Sequence, residues 1–325
     1  MPGQARRCFG ERGMWQVTSG SMASGGTAHG TGGIMTGRSA SVLPVAVLVA
    51  LLIAVWYVAA VWMNATWTYD QAARAGTTPT LADVIRDTMA QDRPKLPAPH
   101  QVAGELWRTV AGVAPTSRRS LLYHAWITLS ATLAGFAIGT AAGLLLAIGI
   151  VYSRAMEMSV MPWAIASQAI PILAIAPMII VVLNSVGVSG LLPKAVIAAY
   201  LSFFPVVVGM AKGLRSPEAS DLDLMRTYSA SGLQTFVKLR LPASLPWLFT
   251  ALKVAAAAAL VGAIVGEMPT GAVAGLGARL LSGSYYGQTV QIWAALFMAA
   301  LLAAVLVAVV GLVQRVVLGN MGLAR

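Results

Sequence analysis

Long uncharged runs broken by short polar segments dominate the pattern along this chain. No Asp, Glu, Lys or Arg falls between Arg38 and Asp70, between Arg119 and Arg154, between Glu157 and Lys194, or between Arg279 and Arg315. A helix needs about 20 mostly apolar residues to cross roughly 30 Å of hydrocarbon, so each run predicts a membrane span. Two further spans follow from Leu192 to Ala211, with Lys194 at its edge, and from Pro246 to Glu267, with Lys253 inside it. The expected fold is therefore an all-α polytopic membrane protein with six spans, at 42–63, 126–152, 160–183, 192–211, 246–267 and 289–314.

The polar segments between the spans set the expected organisation. Residues 1–40 are rich in Gly, Ser, Thr and Ala without apolar periodicity and read as a disordered tail. The run at 41–63 is a first transmembrane helix, longer than a cleaved signal peptide requires. Residues 64–122 mix charges, prolines and a short amphipathic stretch, Leu81 to Met89, and read as a surface linker on the outer side. The core is expected over 123–317, with a polar loop at 212–244 and a short tail at 318–325.

Composition agrees with lipid as the solvent. Of 325 residues, 58% are hydrophobic and only 10% charged, too few charges to coat a soluble globule of this size. The net charge of +11 is not gathered into a basic patch beside aromatics, which disfavours nucleic acid as a partner. It reads as topology instead. With the N-terminus inside, Arg6, Arg7, Arg12, Arg38, Arg154, Lys212, Arg215, Arg226, Lys238, Arg240, Arg315 and Arg325 are cytoplasmic, against Lys194 and Arg279 at the short outer loops. Both termini are thereby expected in the cytoplasm. The single cysteine, Cys8, allows no internal disulfide, and His29, His100 and His124 lack metal-ligand spacing, so neither a catalytic nor a metal site is expected.

Several residues inside the spans suggest roles. Gly135, Gly139 and Gly143 strip one face of the second span of side chains, which permits close helix approach. Gln168, Pro171, Pro177 and Asn184 place prolines and amides within the third span, where freed backbone groups and buried amides favour a pathway lining over lipid. Lys253 and Glu267 lie on similar sides of the fifth span but about 21 Å apart, too far to pair directly. Gln168, Pro171, Asn184, Lys253 and Glu267 are thus candidates for a translocation path. Beyond Glu267, a glycine-rich segment with Tyr285 and Tyr286 suggests a flexible outer loop with an interfacial anchor.

The 212–244 loop carries the strongest signal. Ser216 before Pro217 and Glu218, and later Ser229 or Ser231 before an amphipathic run ending at Pro242, predict two short helices. Leu224, Met225 and Tyr228 form an apolar edge flanked by Asp221, Asp223 and Arg226, the pattern of a helix laid into a partner's groove.

The stretch DLMRTYSASGLQTFVKLRLPASLP resembles the cytoplasmic coupling loop, or EAA loop, of permease subunits of bacterial ABC importers. In that pattern Asp223, Leu224 and Met225 take the Glu-Ala-Ala positions, Ser229 the glycine, Leu239 the branched apolar position, and Leu241 and Pro242 the Leu-Pro. Leu224, Met225 and Ser229 depart from it. The resemblance runs from roughly Leu96 to Val317 and includes LPAPHQVAGELW, IPILAIAPMIIV, GLRSPE and the GE after the fifth span. It is similar above all to the nitrate, sulfonate and taurine type, a group that includes transporters of pyrimidine and thiamine precursors.

The resemblance implies a permease in the bacterial inner membrane, paired with a second permease copy as a homodimer or heterodimer. It also implies two ATPase subunits that bind ATP and magnesium, and an extracytoplasmic solute-binding protein. Asp223, Arg226, Ser229, Ala230, Gly232, Leu239, Leu241 and Pro242 are the implied ATPase-coupling residues. The chain contains no G-x-x-x-x-G-K-[ST] phosphate loop, so no cofactor is expected in this chain and ATP hydrolysis falls to a partner. The alternatives are a secondary transporter, for which no internal repeat or mid-membrane acid is evident, and a membrane enzyme, for which no convergent acid, base or nucleophile is evident.

Overall fold

The computed structural model describes residues 42–269 and 274–322; the expected tail at 1–40 lies outside the described residues. Among them every regular element is helical: α1 Val42–Ala75, α2 Leu81–Ala90, α3 Pro99–Val110, α4 Leu121–Tyr152, α5 Arg154–Ala169, α6 Ile172–Ser185, α7 Leu191–Leu214, α8 Ala219–Thr227, α9 Gly232–Thr235, α10 Leu241–Glu267, α11 Leu276–Tyr285 and α12 Thr289–Asn320. Two compact units emerge, Met1–Val49 and Ala50–Arg325; the first includes only the opening turns of α1 among the described residues, and the architecture below is that of the second.

Five helices are long and apolar enough to cross a membrane, and a bent pair makes a sixth candidate. The expected third span at 160–183 is not one kinked helix but that pair, α5 and α6, bent by 105°. The cause is Pro171, which lacks an N–H and pushes Ile170 into an extended conformation (φ −83°, ψ 123°) that no α-helix can pass through. Pro162 and Pro177 sit inside α5 and α6 without breaking them. The carbonyl of Ser167, freed near the break, accepts from the Tyr200 hydroxyl of α7.

Helix α7 is central. Half of its apolar window is buried, as is half of that of α10, against 6% for α1 and 11% for α12. Small residues make this possible. An added Cβ on Gly135 would lie 2.6 Å from the Ala195 carbonyl, on Gly139 2.8 Å from the Ala199 carbonyl, and on Gly143 2.8 Å from the Phe203 carbonyl, all on α7. From the other side, a Cβ on Gly262 of α10 would lie 2.7 Å from Ala198 Cα. Ala131, Ala198, Ala259 and Ala263 fill the resulting contact. In lipid such an assembly is held by close packing, not by expulsion of water. The glycine face of the second span is thus used within one chain.

The segment expected as a linker from residue 64 is more helical than its composition suggests. Helix α1 continues to Ala75, and α2 opens with a capping box between Thr80 and Asp83. Hydrogen bonds from Thr80 hold the exposed Asp83 carboxyl below the usual carboxylate range. Pro99 stands in the first turn of α3, where its missing N–H costs nothing. Asn64, 1% exposed, ties this segment to α1: its amide donates to the Leu96 carbonyl (2.8 Å) and its oxygen accepts from the Lys95 and Leu96 N–H groups (2.7 and 3.2 Å). At the far end α12 continues through Asn320, past the expected start of a tail at 318.

Candidate coupling loop and translocation path

The polar loop after α7 is built on a fixed base. Arg215 pairs with Glu157 of α5 (3.0 Å), and the Lys212 ammonium lies 4.5 Å from the centre of the Trp247 ring. Helix α8 follows with Asp221 in its first turn and Arg226 in its last, charges that suit the helix dipole. Arg226 pairs with Asp223 one turn earlier (2.9 Å), both well exposed.

The end of α8 is a Schellman motif. The Ala230 N–H donates to the Met225 carbonyl (3.0 Å) and the Ser229 N–H to that of Arg226 (2.8 Å). This closure needs a left-handed residue, normally glycine. Here it is Ser229, at φ 50°, the one non-glycine with positive φ among the described residues. Ser229 is the residue aligned above with the glycine of the coupling-loop pattern, and the fold asks of it what glycine does most easily.

Ser231 then caps α9 reciprocally with Gln234: the Gln234 N–H donates to Ser231 Oγ (3.3 Å) and the Ser231 N–H to Gln234 Oε1 (2.9 Å). The second loop helix was expected to stop at Pro242. Instead the helical run continues from Gly232 to Glu267. A π-helical turn, Phe236–Arg240, in which the Leu241 N–H bonds the Phe236 carbonyl, delivers the chain to Pro242 at the start of α10. The wider turn absorbs a proline that an unbroken α-helix would resist. Leu241 packs against Ala147, Met210, Ala211 and Leu214, while Leu239 and Pro242 are half-buried. The loop is therefore mechanically continuous with the spans on both sides.

Its apolar side chains face outward. Leu224 is 54% exposed, Tyr228 76%, Leu233 72% and Val237 50%; Met225, the third member of the expected edge, is half-buried. No residue of α8 is buried. Ala230 is half-buried and Gly232 exposed, with open space where a Cβ would stand.

The five expected path residues do not form one site. Gln168 is exposed at the end of α5, donating to Ser167 Oγ (3.4 Å), and Pro171 is exposed at the break. Lys253 is half-buried, its ammonium beside Gly311 of α12. Asn184 lines a cavity of about 510 Å³ at the end of the bundle away from the loop, together with Ser130, Ser189 and Lys194. Lys194, expected at the outer edge of its span, is 9% exposed.

Glu267 is fully buried at the end of α10 and holds the start of α11. Its Oε2 accepts from the Gly277 N–H (2.8 Å), and the Thr128 hydroxyl lies 3.0 Å from both carboxylate oxygens. Thr128 Oγ also accepts from the Leu276 N–H (2.8 Å), and His124 Nδ1 from the Gly275 N–H (2.9 Å). His124 Nε2 lies 2.9 Å from the Arg118 carbonyl, to which it donates in the tautomer those bonds dictate. Three successive N–H groups at the start of α11, which a helix cannot satisfy itself, are thus each held by a side chain from α4 or α10. Much of the segment expected as a flexible loop is accordingly an anchored helix, with Tyr285 and Tyr286 exposed at its end; residues 270–273 lie outside the described residues.

Sequence reasoning missed His124, Thr128 and Lys194. The signal was faint: His124, Thr128 and Thr132 recur every four residues in a largely apolar helix and so share a face. A second, polar cleft of about 900 Å³ has Arg93, Arg108, Arg119 and Arg279 in its lining with Asp92 and Glu105. Burial lowers the Arg279 pKa, opposed by the nearby Glu105 charge. Among the described residues no cluster of His, Cys, Asp and Glu is placed to hold a metal.

Residues 139–321, from the middle of α4 to the end of α12, match the family described as binding-protein-dependent transport system inner membrane component. The chain is 32% identical to a probable ABC transporter permease protein of Haemophilus influenzae, over 62% of this chain and 76% of that protein. It is 32% identical to the riboflavin transport system permease protein of Chloroflexus aurantiacus, over 68% of this chain and 78% of the relative. The formylaminopyrimidine transport permease protein of Halalkalibacterium halodurans is likewise 32% identical, over 56% and 68%.

Proposed function

This chain belongs to the family of binding-protein-dependent transport system inner membrane components, and from that premise we propose that it forms the solute path of an ATP-driven importer and takes its energy from separate ATPase subunits through residues 212–244. One observation carries the coupling role. The matched region contains a loop whose apolar residues Leu224, Tyr228, Leu233 and Val237 are exposed, on a base joined to two buried spans. Exposed apolar side chains on short helices suit a partner's groove. Asp223, Arg226, Ser229, Ala230 and Gly232 shape the docked part, and Leu239, Leu241 and Pro242 pass its movement into α10.

In this reading the loop lies in the cytoplasm with both termini, and the α11 end faces outward. The functional unit contains two permease copies, identical or paired, two ATPase subunits holding ATP and magnesium, and a solute-binding protein outside, all at a bacterial inner membrane. The solute is small, of the nitrate, sulfonate, taurine or pyrimidine-precursor kind. Relatives named for riboflavin, formylaminopyrimidine, aliphatic sulfonate and nitrate transport support that range as a whole.

The test is co-purification of the ATPase with the tagged permease. Leu224→Glu and Tyr228→Glu together should abolish capture while the variant still inserts and elutes as a single species in detergent. Full capture by the double variant would overturn the assignment of the loop.

A further inference from the structure

The cavity of about 510 Å³ at the α11 end is lined by parts of α4, α6 and α7, and Lys194 is the one ionisable side chain among its lining residues. Its volume lies within the range of about 300–1,000 Å³ that small-molecule sites occupy. Ser130, Asn184 and Ser189 add polar groups to the wall.

Lys194 is held asymmetrically. Its ammonium lies 3.9 Å from Glu267 Oε1 and 3.5 Å from the Ala274 carbonyl, both at the far limit of useful contact. The Glu267 carboxylate, by contrast, is gripped at 2.8 to 3.0 Å by the Gly277 N–H and the Thr128 hydroxyl. The negative charge is thus drawn toward the start of α11, fully buried, while Lys194 belongs to the cavity lining. An ammonium carries three donors, and a nine-tenths buried one with two long contacts has capacity for a further acceptor.

We propose that this cavity is a solute subsite in which Lys194, steadied by Glu267, receives an oxyanion group such as a sulfonate, carboxylate or nitrate, with Asn184, Ser130 and Ser189 as further polar contacts. The inference rests on the permease reading and deepens it, since it places the first contact of the solute with this chain at the end opposite the coupling loop. It assigns Lys194 as a specificity-determining residue: an anionic solute is favoured there over a cation of the same size.

The test is independent of the ATPase, so its failure leaves the permease reading standing, and loss of ATPase capture by the loop leaves this one standing. In a Cys8→Ser background, Ser189→Cys is labelled in phosphatidylcholine nanodiscs with a sulfonate-bearing and a trimethylammonium-bearing methanethiosulfonate, each rate normalised to free cysteine. The anionic reagent should react severalfold faster than the cationic one, because Lys194 is the one ionisable side chain in the lining. Soluble ethanesulfonate at millimolar concentration should protect the thiol. Lys194→Met should abolish both effects and Lys194→Arg keep them; Lys194→Met with Glu267→Gln repeats the loss without leaving a lone buried carboxylate. A rate ratio indifferent to Lys194→Met, absence of protection by ethanesulfonate, or protection only when phosphatidylglycerol replaces it would each overturn the proposal, the last by assigning the site to a lipid headgroup.

Discussion

Ser229 holds a backbone conformation, φ 50°, that crowds its Cβ against the following carbonyl and costs roughly 1–2 kcal/mol for a residue other than glycine. Ser229→Gly should therefore stabilise the loop by about 1 kcal/mol, seen as slower amide exchange at the Ser229 and Ala230 N–H groups that close the motif. Ser229→Val should open the same bonds and reduce ATPase coupling; faster exchange in the glycine variant would refute this view of the motif. Glu267 makes the opposite case, a charge whose value is all in its partners. Glu267→Ala leaves the Gly277 N–H without its acceptor and takes the counter-charge from beside Lys194, a loss of about 1–3 kcal/mol for the unsatisfied buried donor. Glu267→Gln keeps an oxygen for Gly277 and Thr128 and should cost much less. Thermal melting in detergent separates the two, and equal shifts would contradict the clamp. Neither role of Glu267 was open to sequence reasoning: Thr128 lies 139 residues away and Lys194 approaches from another helix. A carboxylate at the end of an apolar run looks the same whether it lines a path or anchors a helix.

Helices were legible where one physical signal dominated. Uncharged runs located the spans, and the four-residue glycine rhythm of α4 announced a close approach, which α7 supplies. Gly139→Leu should separate these helices, because its Cβ alone would sit 2.8 Å from the Ala199 carbonyl and against Ser202 Oγ. Overpacking of this kind costs about 1–3 kcal/mol and here should show as lower yield of folded protein, while Gly104→Leu on α3, with open space at its Cα, should be tolerated. Two boundaries were not legible. The prolines at 171 and 177 look alike in the sequence, yet one separates α5 from α6 at 105° and the other stays inside α6. Likewise Pro242 read as a stop, because a π-helical turn that accommodates a proline leaves no mark in the pattern of apolar residues.

For the whole molecule, the charge pattern and the fold make separate statements. The fold places the 212–244 loop at one end of α7 and α10 and the α11 clamp at the other; the distribution of Lys and Arg proposes which end is inside. In a Cys8→Ser background, Tyr285→Cys should react with an impermeant maleimide in intact cells and Ser220→Cys only after permeabilisation; the reverse pattern would invert the topology. The central claim is that ATP hydrolysis by a partner moves these spans through the loop. Its most direct test is uptake of the binding protein's ligand by proteoliposomes containing the permease, its ATPase and the binding protein. Accumulation should require ATP, survive collapse of ion gradients by an uncoupler, and disappear with Leu224→Glu and Tyr228→Glu; accumulation that needs an ion gradient and proceeds without the ATPase would contradict the account.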